Sequence, residues 1–378
     1  MTRPAFLAWS IWITRVIHGA MGKSLTFLVG RKNMRTLIKV LFLTCVLGSW
    51  CRAQVRPLRI YWVDVEGGGA TLIVTPAGES VLIDAGGYDV ERDGARAYAV
   101  AAQAAGLRQI DYFIATHWHA DHYGGAIKLS QLMPIKRFYG HGSLPANVPE
   151  DPKFPVLMPA YRKLTQGRSR ILYPGDTLPL KQTADAPLMV LQCLASDGKM
   201  NRPKGVTSQA NPVCRKEEGS RPDPTENAKS IVLKLQYGRF TFVDGGDLTW
   251  DKEAQLVCPI NRVGTVDLFQ IDHHGLDLSS NPVLLKSISP RVVVVNNGPE
   301  KGPEPNCVKT LRGLPSLETV WQLHRNVHTG PELNTDPQFV ANNEVECKAQ
   351  FIEARVQADG TFSVQIGKTG TRREYRPR

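Results

Sequence analysis

His117-Trp118-His119-Ala120-Asp121-His122 constrains this chain more than any other stretch. Three of the nine histidines and a carboxylate fall within six residues, after the apolar run Ile110 to Thr116 and before Gly124-Gly125. Imidazole nitrogen and carboxylate oxygen are the donors that a hydrolytic Zn²⁺, Mn²⁺ or iron site uses. His117 and His119 are two apart, so on extended backbone both side chains point to the same side. Asp121 and His122 then start a helix, where adjacent side chains diverge toward two metal positions. The two glycines let that helix pack close to the site.

Two later clusters have the same character. Phe240 to Val243 is an apolar strand running into Asp244-Gly245-Gly246-Asp247, which presents a carboxylate at a strand's carboxyl edge, where α/β sites lie. Asp247 is either a ligand bridging two metals or a cap for the helix beyond it. Val266 to Asp272 runs into His273-His274-Gly275, one of whose imidazoles is expected to be structural. Short apolar runs at Arg59 to Val65, Ala70 to Thr75, Ser80 to Asp84, Asp111 to Ala115 and Lys136 to Tyr139 read as strands, and Ala95 to Ala105 and Ala126 to Leu132 as helices. Residues 141–170 are proline-rich and without periodicity, and residues 196–229 form a long polar loop of the kind that covers active sites. Strands and helices then alternate a second time, from Ser230 to Val295, which gives an α/β chain.

The net charge of +11 is not a nucleic-acid signature of the whole chain. Eight of those charges lie in residues 1–53, which hold no Asp or Glu and leave about +3 for the remainder. Arg35 and Lys39 begin an apolar run, Val40 to Trp50, and Cys51-Arg52-Ala53 resembles a cleavage site, so residues 1–53 read as an export leader. The run is too short for a stable membrane span, and an uncleaved leader would act as an anchor. We take 54–367 as the folded domain and 368–378 as a solvated basic tail. Cleavage leaves Cys193, Cys214, Cys258, Cys307 and Cys347, either as one or two bridges or as buried thiols.

Taken together, the three clusters resemble the metallo-β-lactamase superfamily. His117-x-His119-x-Asp121-His122-x-Gly124-Gly125 matches its signature, and Val63-Asp64-Val65, Leu82-Ile83-Asp84-Ala85-Gly86, Asn227 with Ser230, Gly246-Asp247 and His273-His274-Gly275 resemble the branch containing the carboxy-terminal domain of ComEC-type competence proteins. The resemblance covers about residues 58–300 and implies a four-layer αββα sandwich with two divalent ions at one edge, zinc first and manganese or iron as alternatives. It implies that His117 and His119 bind one ion, that Asp121, His122 and His274 bind the other, and that Asp247 bridges. His274 is preferred to His273 because the superfamily ligand immediately precedes a glycine. Asp84 would orient ligands.

Most members carry a further histidine before the bridging aspartate. Here none occurs between His141 and His273, which leaves the first ion under-coordinated and partly occupied, with Asp197 or Asn227 to fill in. The implied activity is that of an exported hydrolase using a metal-bound hydroxide, with Asp121 or Asp247 handling the proton, on a phosphodiester or other ester. Alternatives are a lactone or amide hydrolase, or a non-catalytic metal-holding module. The expected partner is a small-molecule or nucleotide-type substrate. Asn296, at a strand end, and His324 are further substrate-contact candidates, and Trp118 is packing or pocket wall.

Overall fold

Apolar side chains alternating along short β-branched runs give most strands of this chain one face for each of two different cores. The computed structural model describes residues 55–166, 168–201, 209–214, 221–344 and 347–378. The leader expected in residues 1–53 lies outside them. Residues 55–378 form one compact unit.

The first sheet begins with β1 (Leu58–Trp62), β2 (Thr71–Val74), β3 (Ser80–Ile83), β4 (Ile110–Ile114), β5 (Ile135–Gly140) and β6 (Ser169–Ile171). The second holds β7 (Met189–Ser196), β8 (Lys199–Met200), β9 (Val232–Tyr237), β10 (Phe240–Asp244), β11 (Leu268–Gln270), β12 (Val292–Val295), β13 (Thr319–His324) and β14 (Val340–Asn342). The chain then returns to the first sheet with β15 (Ile352–Val356), β16 (Phe362–Ile366) and β17 (Arg372–Tyr375). The orders are β17-β16-β15-β1-β2-β3-β4-β5-β6 and β14-β13-β12-β11-β10-β9-β7-β8.

Leu58, Ile60 and Trp62 of the first sheet meet Leu233, Leu235, Phe242 and Val294 of the second in one buried core. The opposite face of the first sheet (Leu72, Leu82, Phe113, Phe138) packs under α1 (Val90–Ala99), the short α2 (Ala120–Tyr123), α3 (Gly125–Leu132) and α4 (Phe154–Thr165). The opposite face of the second (Val243, Phe269, Val293, Val295) packs under α5 (Trp250–Val257), α6 (Pro282–Ile288) and α7 (Pro305–Arg312). This is the expected αββα sandwich. Among the described residues, no helix is long and apolar enough to cross a membrane.

Three local expectations change. α1 starts at Val90 rather than Ala95, because the Asp89 carboxylate accepts the Arg92 N–H and caps it. The proline-rich segment contains α4: Pro155 sits in its first turn, where no backbone donor is needed, and Phe154, Met158, Tyr161 and Thr165 are buried on one face. Residues 372–375 are not a solvated tail but the edge strand β17, with Tyr375 stacked on Phe362. In the long polar loop, Cys214 is bonded to Cys258 at the end of α5, and Cys193 and Cys307 are buried thiols, so both expectations for the cysteines hold in part.

Candidate metal centre

Parallel pairing sets which strand ends share an edge. β3 and β4 run parallel, so Asp84 and the His117–His122 segment leave the first sheet together. β10 and β11 also run parallel, so Asp247 and the His273-His274 pair leave the second sheet together. The Ile231 N–H donates to the Thr116 carbonyl at 3.0 Å and links the two edges. Gly246 is required here: its φ is +57°, and a Cβ would come within 2.8 Å of Thr116. Gly125 fulfils the expected close approach, since a Cβ there would lie 1.9 Å from the Ala85 carbonyl oxygen.

His117, His122 and His274 are each anchored through Nδ1 and present Nε2 to a common centre. His117 Nδ1 lies 3.1 Å from Thr116 Oγ1 and 3.4 Å from Ser230 Oγ, which leaves Nε2 facing His119 Nδ1 at 3.0 Å. His119 Nε2 faces Glu150 Oε1 at 3.5 Å. His122 Nδ1 is held by Asp84 Oδ2 at 2.7 Å, and His274 Nδ1 by the Asn296 carbonyl at 3.0 Å. Asp84 also accepts from the Thr116 N–H and hydroxyl, so one carboxylate fixes both ends of the histidine segment. Carboxylates and carbonyls on the far nitrogen of a histidine set its tautomer and aim in metal sites.

Asp247 is the focus. Its Oδ2 lies 3.2 Å from His122 Nε2, 3.5 Å from His273 Nε2 and 4.0 Å from His117 Nε2. Its Oδ1 lies 3.3 Å from His274 Nε2. The His273-His274 backbone is left-handed at both residues (φ 52° and 58°), a conformation that costs about 1–3 kcal/mol per residue and aims both rings at Asp247. His122, His117 and Asp247 offer donor atoms within 4.8 Å of one another, and so do Asp121, His122 and His274. His122 Nε2, His274 Nε2 and Asp247 Oδ1 are buried without a hydrogen-bond partner. Buried polar atoms are rarely left so, and one divalent cation would satisfy all three. The residues present therefore fit a divalent metal.

The charges agree. Burial and the neighbouring His122 and His119 hold His117 well below the usual imidazole range, so it is neutral and ready to ligate. Burial opposes charge on His122, but Asp247, Asp84 and Asp121 outweigh it and raise its pKa well above normal. Burial likewise opposes ionised Asp247, yet His122, His274 and His273 hold it well below the carboxylate range.

The structure thus brings His117, His119, Asp121, His122, Asp247, His273 and His274 together, with Asp84 and the Asn296 backbone behind them. Both members of the His273-His274 pair face Asp247, where one had been expected to be structural. His324 is placed differently from the expectation: its Nε2 bonds to Asp64. Asp197 pairs with Lys199 at 2.8 Å rather than completing the first position, and Asn227 keeps a buried Oδ1 without a partner. Trp118 is fully buried packing, against Tyr123, His141 and Tyr161. Sequence reasoning missed two residues. Glu150 sits in the proline-rich segment, and Lys301 follows β12 on a loop; neither has a flanking motif. The Lys301 ammonium lies 2.8 Å from Asp121 Oδ2. Burial works against its charge, but Asp121 and Asp247 outweigh that and push its pKa up, so it stays a cation.

Residues 64–162 match the family model described as the metallo-beta-lactamase superfamily. ComE operon protein 3 of Bacillus subtilis is 23% identical over 250 residues, which are 62% of this chain and 28% of that protein; the chain thus spans under a third of the relative's length. Among solved structures, a putative metal-dependent hydrolase from Parabacteroides distasonis is 12% identical, with 69% of this chain and 91% of that one covered and a TM-score of 0.39. A metallo-β-lactamase mutant from Cronobacter sakazakii is 15% identical, with 56% and 75% covered and a TM-score of 0.32. The family match spans the strand, histidine segment and helix that build the first half of the centre, and over that stretch the chain is similar to the metallo-β-lactamase superfamily.

Proposed function

We propose that this chain is an exported metal-dependent hydrolase whose substrate is a phosphodiester. The observation that carries the reading is the set of anchored imidazoles converging on Asp247, with the Lys301 ammonium beside them. The ion classes that suit this mixed imidazole and carboxylate donor set are zinc first, then manganese or iron. His117 and His119 would hold one ion, Asp121, His122 and His274 a second, and Asp247 would span the two.

When bound there, a divalent ion lowers the pKa of water toward neutrality and neutralises charge developing on a phosphoryl oxygen. The chain's own residues do the rest. Asp84 and the Asn296 carbonyl keep His122 and His274 aimed inward. Asp247 and Asp121 are carboxylates within reach of the centre, suited to orienting a water and taking its proton. Lys301 offers an ammonium to an anionic substrate oxygen, which a neutral amide or lactone would not need. Export is supported by the basic-apolar leader and by the Cys214–Cys258 bridge, a bond that persists in oxidising compartments.

The test is turnover of bis-(p-nitrophenyl) phosphate by zinc- and manganese-loaded protein, beside a panel of carboxylic esters, lactones and amides. We expect diester hydrolysis that His119→Ala abolishes. Turnover confined to lactones or amides would overturn the substrate class, and metal binding without turnover on any substrate would leave a metal-holding module.

A further inference from the structure

Asp64, His324 and Cys347 form a second convergence of metal-ligating atoms, separate from the centre described above. The strand directions explain how they meet. β1 is antiparallel to β2, and β2 to β3, so Asp64, just past β1, emerges at the same edge as Asp84. β11, β12 and β13 are parallel, so His324, the last residue of β13, emerges at the same edge as His274. Cys347 lies between β14 and β15, where the chain crosses from the second sheet to the first. The three residues thus join both sheets and the connection between them.

Their geometry is specific. His324 Nε2 is 2.5 Å from Asp64 Oδ1, Cys347 Sγ is 2.6 Å from Asp64 Oδ2, and Sγ lies 3.8 Å from His324 Nε2. The imidazole and the thiol each point a proton at the carboxylate, and one divalent cation would replace both protons. The Ala349 N–H, two residues on, donates to Cys347 Sγ at 3.1 Å and supports charge on the sulfur. Arg96 Nη1 holds Asp64 Oδ2 at 3.0 Å, and the Glu66 N–H holds Oδ1 at 3.1 Å, which orients the carboxylate from behind. Asp64 and His324 are buried, while Cys347 is partly open to solvent and gives a path for entry.

We propose that Asp64, His324 and Cys347 bind a zinc-class ion that clasps the two sheets at this edge. A sulfur, a nitrogen and an oxygen donor suit a borderline-soft ion of tetrahedral preference, with one position left for water. The ion is structural: it ties the β14–β15 connection to β1 and β13, and its binding adds to folding stability.

The test uses the full chain, because the candidate active centre contains no thiol and the clasp does. Zinc X-ray absorption of the reduced wild-type protein is expected to show a sulfur shell at about 2.3 Å. Cobalt-loaded protein is expected to show a sulfur-to-metal charge-transfer band in the near ultraviolet. In Cys347→Ser the shell and the band disappear, zinc content falls by about one ion per chain, and the melting temperature drops. Both signals persist in His119→Ala, which alters only the other centre. A zinc environment of nitrogen and oxygen alone in the wild type, or a sulfur shell that survives in Cys347→Ser, overturns the proposal. The wild-type absorption measurement decides the matter even where a variant fails to fold.

Discussion

The two halves of the candidate metal centre are built on different electrostatic plans. On one side, the buried, neutral His117 faces His119, and Glu150 stands behind His119. On the other, Asp121, His122 and His274 lie beside Lys301, whose ammonium already bonds to Asp121. Among the described residues, the first half has donors with no lysine or arginine paired to them. The second has more acidic ligands and a cation of the chain's own. A lysine at that position would compete with an incoming metal for Asp121 and, under the proposed phosphodiester activity, would supply positive charge to the substrate, so the halves are expected to differ in occupancy and in their effect on turnover.

The largest effect is expected where the halves meet. Losing a residue behind a ligand lowers metal affinity about 10- to 100-fold, so Asp247→Ala, which removes the carboxylate facing both halves, should lower it by at least about 100-fold. Metal content after dialysis against a graded chelator measures this; retention of both ions would break the picture of Asp247 as the bridge. Next comes Asp84→Asn, which frees His122 to rotate and should weaken metal binding by about 10- to 100-fold without removing a ligand. An unchanged affinity would show that Thr116 and the backbone alone aim the segment.

Lys301→Met separates the halves directly. Charged hydrogen bonds are worth about 1.5–3 kcal/mol, so diester turnover should fall about 10-fold or more, mainly through KM, while metal content holds or rises. A fall in metal content instead would make Lys301 a support of the site rather than a competitor for it. Calorimetry should also find protons released on metal uptake, because His122, raised well above its ordinary pKa, must lose one.

The smallest effect concerns the turn that carries His273 and His274. Asp272 and Glu253 are a buried acid pair beneath it. Burial, with Glu253 nearby, raises Asp272 well above its usual range, and burial raises Glu253 from 4.5 to about 7. A raised carboxyl contributes its full stability below its unfolded pKa and loses it as pH climbs through the folded value. Stability should therefore decline between pH 4.5 and about 7, and Glu253→Gln should flatten that decline in urea melts. A wild-type profile that is flat or rising across this window would refute the shared-proton pair.

Legibility differed from residue to residue for a physical reason. The histidine segment was readable because its spacing acts locally: residues two apart on extended chain, then a helix start, already define a common direction. Asp247 and His274 were readable because each follows an apolar strand within a few residues and sits beside a glycine, Gly246 and Gly275. The start of α1 and the whole of α4 were not, since Asp89 as a cap and prolines inside a helix look the same in sequence as loop chemistry. β17 looked like a tail because three of its four residues are exposed and its partner β16 appears only on folding.

By itself, then, the order of residues determined the α/β class, the histidine segment and the strand ends that face it, all of which depend on neighbours within a few positions, while the four layers were what the family resemblance implied. Only the tertiary structure decided that His273 faces Asp247 as His274 does, that Lys301 lies 2.8 Å from Asp121 across 180 residues of chain, and that His324 leaves the presumed pocket for Asp64 and Cys347. Those meetings depend on strand direction and on how the two sheets stack, and no local spacing encodes either.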